Sequence, residues 1–176
     1  MSGVEDTRDR DGVALGRPHA FSEHIHPTGA WATWWRVWYR LIRLLGRPLM
    51  WLAVGRGFGN VVVLRVDGRY SGVERALPVG QLTVGHRRYV GHPNGDTAWT
   101  VNLRAADTAR ISGAHGRVDR VRPVVLAPGA EREAVVRATF RQHPFPGNLL
   151  YRLASHHVMA FGVFFRLEEP GAPTTG

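Results

Sequence analysis

The stretch VDGRYSGVER, residues 66–75, brings together residue types that can bind an oxyanion. Gly68 and Gly72 allow a tight turn whose backbone N–H groups can approach a ligand closely, and Ser71 adds a hydroxyl donor. Arg69 and Arg75 supply guanidinium groups, which form paired hydrogen bonds with phosphate oxygens. A plain turn between two strands is the other interpretation of this stretch, because arginine is abundant in the chain and such a turn can arise by chance.

The basic residues are unusual in kind, because all 23 are arginine, and the formal net charge is +9. This surplus favours anionic partners such as phosphate, a membrane surface or nucleic acid without selecting among them. The chain has no cysteine, which excludes disulfides, thiolate nucleophiles and cysteine-based metal sites. The cytoplasm is the expected location, and a peripheral position on the inner face of the membrane is compatible with the charge.

Composition divides the chain into four predicted segments. Residues 1–28 are polar and acidic and are expected to form a flexible leader rather than a signal peptide. Residues 29–54 are expected to form an amphipathic helix with a short apolar continuation. Residues 55–169 are expected to form a β-barrel domain, and residues 170–176 a disordered tail.

The helical segment has a basic side and an apolar side at about 100° per residue. The basic side contains Arg36, Arg40, Arg43 and Arg47, and the apolar side contains Trp31, Trp34, Trp38, Leu41, Ile42 and Leu45. Three interpretations remain open: the apolar side packs on the body of the protein, lies in a membrane interface, or forms a dimer contact. No apolar run reaches the roughly 18 residues that a membrane-spanning helix requires.

The rest of the chain alternates short β-rich runs with glycine turns. Strands are predicted at 60–66, 75–84, 87–92, 108–114, 117–127 and 157–169, and helices at 96–107 and 129–143. We therefore expect a mainly β, α+β fold. It is a split antiparallel β-barrel of about six strands, with an N-terminal amphipathic helix and two or three further helices.

The predicted helix at 96–107 carries a second candidate site. Trp99 and Asn102 are three residues apart and therefore lie on one helical face. Asparagine is mildly unfavourable inside a helix. One interpretation is that both side chains face a planar ligand, and the other is that Trp99 anchors the core while Asn102 bonds the local backbone.

The turn GRYSGVERALP and the helix TAWTVNLRA, in this order and with a strand between them, resemble the deazaflavin-dependent nitroreductase family of split β-barrel oxidoreductases. The resemblance covers roughly residues 55–169. It implies that the phosphate and acidic tail of coenzyme F(420) lie against Arg69, Ser71, Gly72 and Arg75. It also implies that the deazaflavin is lined by the backbone near Ala76 to Pro78 and by Trp99 and Asn102.

Two positions depart from the pattern of this family. Tyr70 stands where a lysine is common, and Asp67 stands where a threonine is common. One positive charge is therefore lost, and a negative charge is expected beside the bound phosphate.

The resemblance implies an oxidoreductase in which reduced coenzyme F(420) gives a hydride to a quinone, nitro-aromatic or activated alkene. The cofactor carries this chemistry, so we assign no catalytic side chain and expect no metal. Polar groups on the substrate side are expected among His92, Tyr151, His156 and His157, each of which also has a purely structural interpretation. The alternative function is a non-catalytic barrel that binds a fatty acyl or other apolar ligand. Nucleic acid is not an expected partner, and a homodimer is left open.

Overall fold

The computed structural model describes residues 27–45, 60–113 and 117–171. In chain order the elements are α1 (Ala30–Leu45), β1 (Val61–Asp67), β2 (Glu74–Val84), β3 (Arg87–His92), α2 (Ala98–Ala105), β4 (Ala109–Ser112), β5 (Val118–Val125), α3 (Ala130–Gln142), α4 (Gly147–Leu153), α5 (Ser155–Phe161) and β6 (Val163–Glu168). Most of the predicted leader, the end of the 29–54 segment, the turn at 114–116 and most of the tail lie outside the described residues, so the predicted segment boundaries stay predictions.

The six strands close into an antiparallel barrel in the order β1-β2-β3-β6-β5-β4. Strand β2 is 11 residues long. It pairs with β1 along its first part and with β3 along its last four residues, Gln81 to Val84. Strand β5 pairs in the same way with β4 and then with β6. These two strands join the halves of the barrel, and the predicted split antiparallel barrel is confirmed.

Two apolar cores stabilise the fold, since burial of apolar side chains is the dominant favourable term in folding. The first core fills the barrel and includes Leu64, Val66, Val90, Leu103, Val121 and Phe165. The second lies between the barrel and its helices and includes Trp35, Leu82, Tyr89, Val136, Tyr151 and Phe164. Strand β6 contributes Phe165 to the first core and Phe164 to the second, so it is buried on both faces.

A close approach between β3 and β6 lies at the boundary of these cores. Gly91 is directly opposite Phe164 in the antiparallel register. A β-carbon at position 91 would lie 2.2 Å from Phe164 Cδ1. Only glycine therefore lets the ring of Phe164 lie across β3.

Helix α1 packs on the body of the protein through Ala32 and Trp35, which are 0% and 1% exposed. The Trp35 ring contacts the Tyr151 ring of α4, with centroids 5.3 Å apart, and stacks on Tyr39 at 5.7 Å. The packing interpretation is confirmed, but the contact face is rotated toward Trp35, which the predicted apolar side did not include. The reason is tertiary: α4 places an aromatic ring opposite this position.

The apolar side predicted for α1 is only partly covered. Trp34 and Trp38 stack on each other with centroids 5.4 Å apart and are half-buried. Trp31, Val37 and Leu41 are exposed. Within the described ranges, no helix combines the length and the apolar content that crossing a bilayer demands.

Two helices of seven residues, α4 and α5, precede β6 and were not predicted. The strand prediction at 157–169 was wrong in its first part, because residues up to Phe161 are helical and the strand begins at Val163. Val158 and Met159 pack against the second core from a helix. A short apolar run is compatible with a strand and with a helix. Here the run is helical, and the helix contacts α3.

Candidate functional site

Backbone hydrogen bonds close the turn between β1 and β2. The N–H of Gly68 donates to the carbonyl of Val73 at 3.0 Å, and the N–H of Gly72 donates to the carbonyl of Gly68 at 2.7 Å. Gly72 has a φ of 63°, a conformation that favours glycine. The Ser71 hydroxyl oxygen accepts a hydrogen bond from the N–H of Val73 at 3.3 Å. The turn is therefore ordered by its own atoms and exposes Arg69 and Ser71 to solvent.

A buried ion pair fixes helix α2. Arg104 donates from both terminal nitrogens to the two carboxylate oxygens of Asp96, at 3.0 and 2.9 Å, and the Asp96 side chain is only 5% exposed. Thr97 is the N-cap residue, and its N–H donates to Thr100 Oγ1 at 2.8 Å. Such bidentate pairs are among the strong hydrogen bonds of proteins. The Asp96–Arg104 pair therefore fixes the orientation of α2 about its own axis, and with it the direction in which Asn102 points.

The turn and helix α2 meet at Asn102. Its side-chain oxygen accepts a hydrogen bond from the backbone N–H of Arg69 at 3.4 Å, which is long for an N–H···O bond. The two residues are 33 positions apart in the sequence. The structure thus brings together the two motifs that suggested a binding site.

The register of β1 against β2 sorts the charged residues near the turn onto two faces. Arg75 lies opposite Val66, whose side chain is in the barrel core with Leu103 of α2. Arg75 is therefore on the α2 face, since opposed residues point the same way. Asp67 lies opposite Glu74 and points to the other face, where both line a separate cleft. The expectation that Asp67 stands beside the same oxyanion as Arg75 does not fit this register.

Arg69 and Tyr70 contact each other on the turn, whereas the Pro78 side chain points away from it. The Arg69 guanidinium carbon lies 4.5 Å from the centre of the Tyr70 ring, a cation–π contact, and Tyr70 is 89% exposed. Tyr70 therefore adds no positive charge of its own, as a lysine would, but contacts the Arg69 guanidinium at the surface. Pro78 lies opposite Val63 on the face away from Arg75, so its side chain is not brought to the site.

The Trp99 ring lies half-buried between His92 and Phe165, with centroids 6.3 and 6.4 Å away. On its far side, the His92 ring contacts the Tyr39 ring of α1 at 4.8 Å. Tyr39 is hydrogen-bonded in turn to the hydroxyl of Tyr151. These side chains form a continuous layer from α2 to α4, and two of the predicted substrate-side residues, His92 and Tyr151, belong to it.

A buried asparagine links this layer to α5 and α1. Asn94 accepts a hydrogen bond from His157 Nε2 at 2.8 Å and donates to the carbonyl of Ala32 at 3.3 Å. The backbone N–H of Asn94 donates to His92 Nδ1 at 3.4 Å. His157 therefore joins the layer, whereas His156 is exposed and lies outside it.

Burial keeps these polar groups uncharged at neutral pH. It lowers the pKa of His92 to about 4 and raises the pKa of Tyr39 to about 12. Burial likewise raises the pKa of Tyr151 well above its usual value and lowers the pKa of His157. The layer behind Trp99 is therefore polar but neutral.

Sequence reasoning missed Tyr39 and Asn94. Asn94 lies in HPNGD, which has the composition of an ordinary turn, and Tyr39 lies among the tryptophans of α1. Neither stretch carries a local signal for this role, because both residues acquire it through contact with His92.

No protein-family model and no curated protein sequence matches the chain. Among solved structures, an F(420)-H2 dependent reductase (FDR-A) is similar at 18% identity over 62% of this chain and 94% of that one, with a TM-score of 0.47. ChuZ from Campylobacter jejuni has 13% identity over 67% and 51% of the two chains and a TM-score of 0.49. A structure described as a domain-swapped dimer has 17% identity over 74% and 98%, with a TM-score of 0.48. At these identities and TM-scores, the likenesses say nothing about ligand, activity or assembly.

Acidification is expected to destabilise the protein through His92. Between pH 6.5 and 4 the unfolded chain takes up a proton at this residue while the folded chain does not, so the stabilisation is complete above pH 6.5 and falls toward pH 4. The loss amounts to about 3 kcal/mol at 1.36 kcal/mol per pKa unit. Between pH 6.5 and 4, the free energy of unfolding measured with urea should fall less steeply in His92→Gln than in the parent.

His156→Gln is the matched control, because this histidine is exposed. Its pH dependence should equal that of the parent. If the free energy of unfolding depended on pH equally in His92→Gln and His156→Gln, the burial of a neutral His92 would be contradicted.

Proposed function

We propose that this protein is an oxidoreductase that binds reduced coenzyme F(420) and passes a hydride from it to a quinone, nitro-aromatic or activated alkene. The observation that carries the proposal is the contact between the Arg69 N–H and Asn102 Oδ1. It joins the two motifs on which the family resemblance rests, although they are far apart in the sequence.

The anionic end of the coenzyme is proposed to lie against the turn. Arg69, Ser71 and Arg75 are exposed there. Within the described ranges, no carboxylate pairs with either arginine, and each guanidinium offers five N–H donors. This donor set fits a phosphate and an acidic tail, and Gly72 keeps the backbone of the turn open to close approach.

The ring end is proposed to lie along α2. Trp99 and Asn102 are about one helical turn apart, and both are half-buried. Pro78 is assigned a role only through the backbone of β2, because its side chain points to the other face. The coenzyme, when bound, supplies the hydride, and the protein binds it, orients it and limits access of water.

The neutral layer behind Trp99 is the proposed acceptor side. His92 and Tyr151 are buried there and Tyr39 is half-buried, and all three are uncharged at neutral pH. An uncharged aromatic or quinoid acceptor fits such a surface better than an ion does, since burying an unpaired charge is costly. The hydroxyl of either tyrosine is a proton donor in its neutral form.

Loss of either motif should weaken coenzyme binding. Asn102→Ala removes the acceptor of the Arg69 N–H, and Arg69→Ala removes the guanidinium but keeps that N–H. Arg69→Ala is expected to raise the Kd about tenfold, because a hydrogen bond to a charged group contributes about 1.5 kcal/mol. Asn102→Ala is expected to raise it several-fold, because the exposed 3.4 Å contact that joins the turn to α2 is lost. Quenching of coenzyme F(420) fluorescence measures the Kd, and loss of the reduced coenzyme's absorbance with menadione measures hydride transfer.

Arg141→Ala is the control, because Arg141 is an exposed arginine on α3. Its Kd should equal that of the parent. Absence of any quenching with the parent protein would overturn the proposal. Native mass spectrometry of the purified protein would then test the alternative, a barrel that carries a fatty acyl or other apolar ligand.

We also infer that α1 contacts an anionic lipid surface, where a membrane-resident quinone would be the acceptor. Val37 and Leu41 are 61% and 48% exposed, and Arg36 and Arg40 are exposed on the same helix. The protein should sediment with phosphatidylglycerol vesicles, and the double change Val37→Ser with Leu41→Ser should reduce the bound fraction several-fold. Equal sedimentation of parent and double variant would refute this contact.

A further inference from the structure

Three arginines lie side by side across three adjacent strands of the barrel. Arg65 of β1 is opposite Arg110 of β4, and Arg110 is opposite Arg120 of β5. Opposed residues in antiparallel strands project from the same face, and neighbouring strands are about 5 Å apart. The arginine row, Arg65, Arg110 and Arg120, therefore extends over about 10 Å of one face.

The arginine row is only partly neutralised. Glu74 pairs with Arg110, and its Oε1 lies 3.9 Å from Arg65 Nε. Arg65 also donates to the hydroxyl of Ser112 at 2.7 Å. The Arg120 side chain is exposed, and its guanidinium has no hydrogen bond or ion pair with any described residue. Like charges directly opposite one another destabilise a sheet, so the row is unfavourable unless an anion binds to it.

The arginine row borders a cleft of about 360 Å³, which is within the usual range for small-molecule sites. Thr108, Asp67 and Glu74 also line the cleft. The two carboxylates leave an excess of one positive charge and most of the guanidinium N–H donors free. Because Arg75 points to the opposite face of β2, this cleft is separate from the candidate coenzyme site.

We propose that this cleft binds a small molecule that carries at least two oxyanion groups, phosphate or carboxylate. Arg120 presents a planar fork that pairs with such a group in a bidentate manner, and Arg110 offers the N–H donors that its pair with Glu74 leaves free. These two arginines lie on adjacent strands, which are about 5 Å apart, so they match a ligand with two oxyanion groups at a similar separation. Thr108 adds a hydroxyl that hydrogen-bonds an oxygen of the same ligand.

Isothermal titration with inorganic triphosphate and with citrate tests the proposal and separates the two sources of oxyanion. At least one probe is expected to bind with one-to-one stoichiometry. Arg120→Gln should raise the Kd about tenfold, the effect of losing one charge-assisted hydrogen-bond pair. Arg120 is suited to this change because it supports no other described residue. Arg141→Gln removes the same charge from a remote exposed position and should leave the Kd unchanged.

The proposal is overturned if neither probe binds, or if Arg120→Gln and Arg141→Gln weaken binding equally. It is also overturned if light scattering shows a dimer that Arg120→Gln dissociates, because the row would then be a contact between two copies. Asn102→Ala should keep full probe binding. The outcome is therefore independent of whether coenzyme F(420) binds on the other face.

Discussion

The pairing register of β1 with β2 decides on which face of the sheet each charged residue near the turn lies. With Val66 opposite Arg75 and Asp67 opposite Glu74, adjacent residues of one strand serve different surfaces. A shift by a single residue would exchange every side chain between the faces. The apolar residues of β1 hold the register, because Leu64 and Val66 are buried in the barrel core. The two faces of the sheet thus carry separate groups of charged residues.

Helix α2 completes only one of these surfaces. Its ion pair between Asp96 and Arg104 fixes the helix independently of any ligand, and Asn102 then reaches the backbone of the turn. Behind it, the neutral layer around His92 connects α2 to α1 through Asn94 and the carbonyl of Ala32. A binding surface built in this way has its polar groups in place before a ligand arrives, which reduces the ordering cost of binding.

The barrel could be predicted because its strands are short, β-branched and separated by glycine turns. The two candidate motifs were also visible, since each is a contiguous stretch. Helices α4 and α5 were missed because neither is longer than two turns and neither begins with a side-chain cap. The arginine row could not be found at all: Arg65, Arg110 and Arg120 are far apart in the chain, and only strand pairing makes them neighbours. The expected position of Asp67 beside the phosphate does not fit the register of β1 and β2, because neighbours in sequence point to opposite faces of a strand.

In the proposed function, the turn and helix α2 form one binding surface for the coenzyme. An NMR titration with coenzyme F(420) tests whether they do, with the backbone amides of Arg69 and Gly72 and the side-chain amide of Asn102 as reporters. These signals are expected to shift together and to saturate with one common Kd, while the amide of Arg120 on the opposite face stays unmoved. Saturable binding that leaves the Asn102 and Arg69 signals in place would contradict the claim.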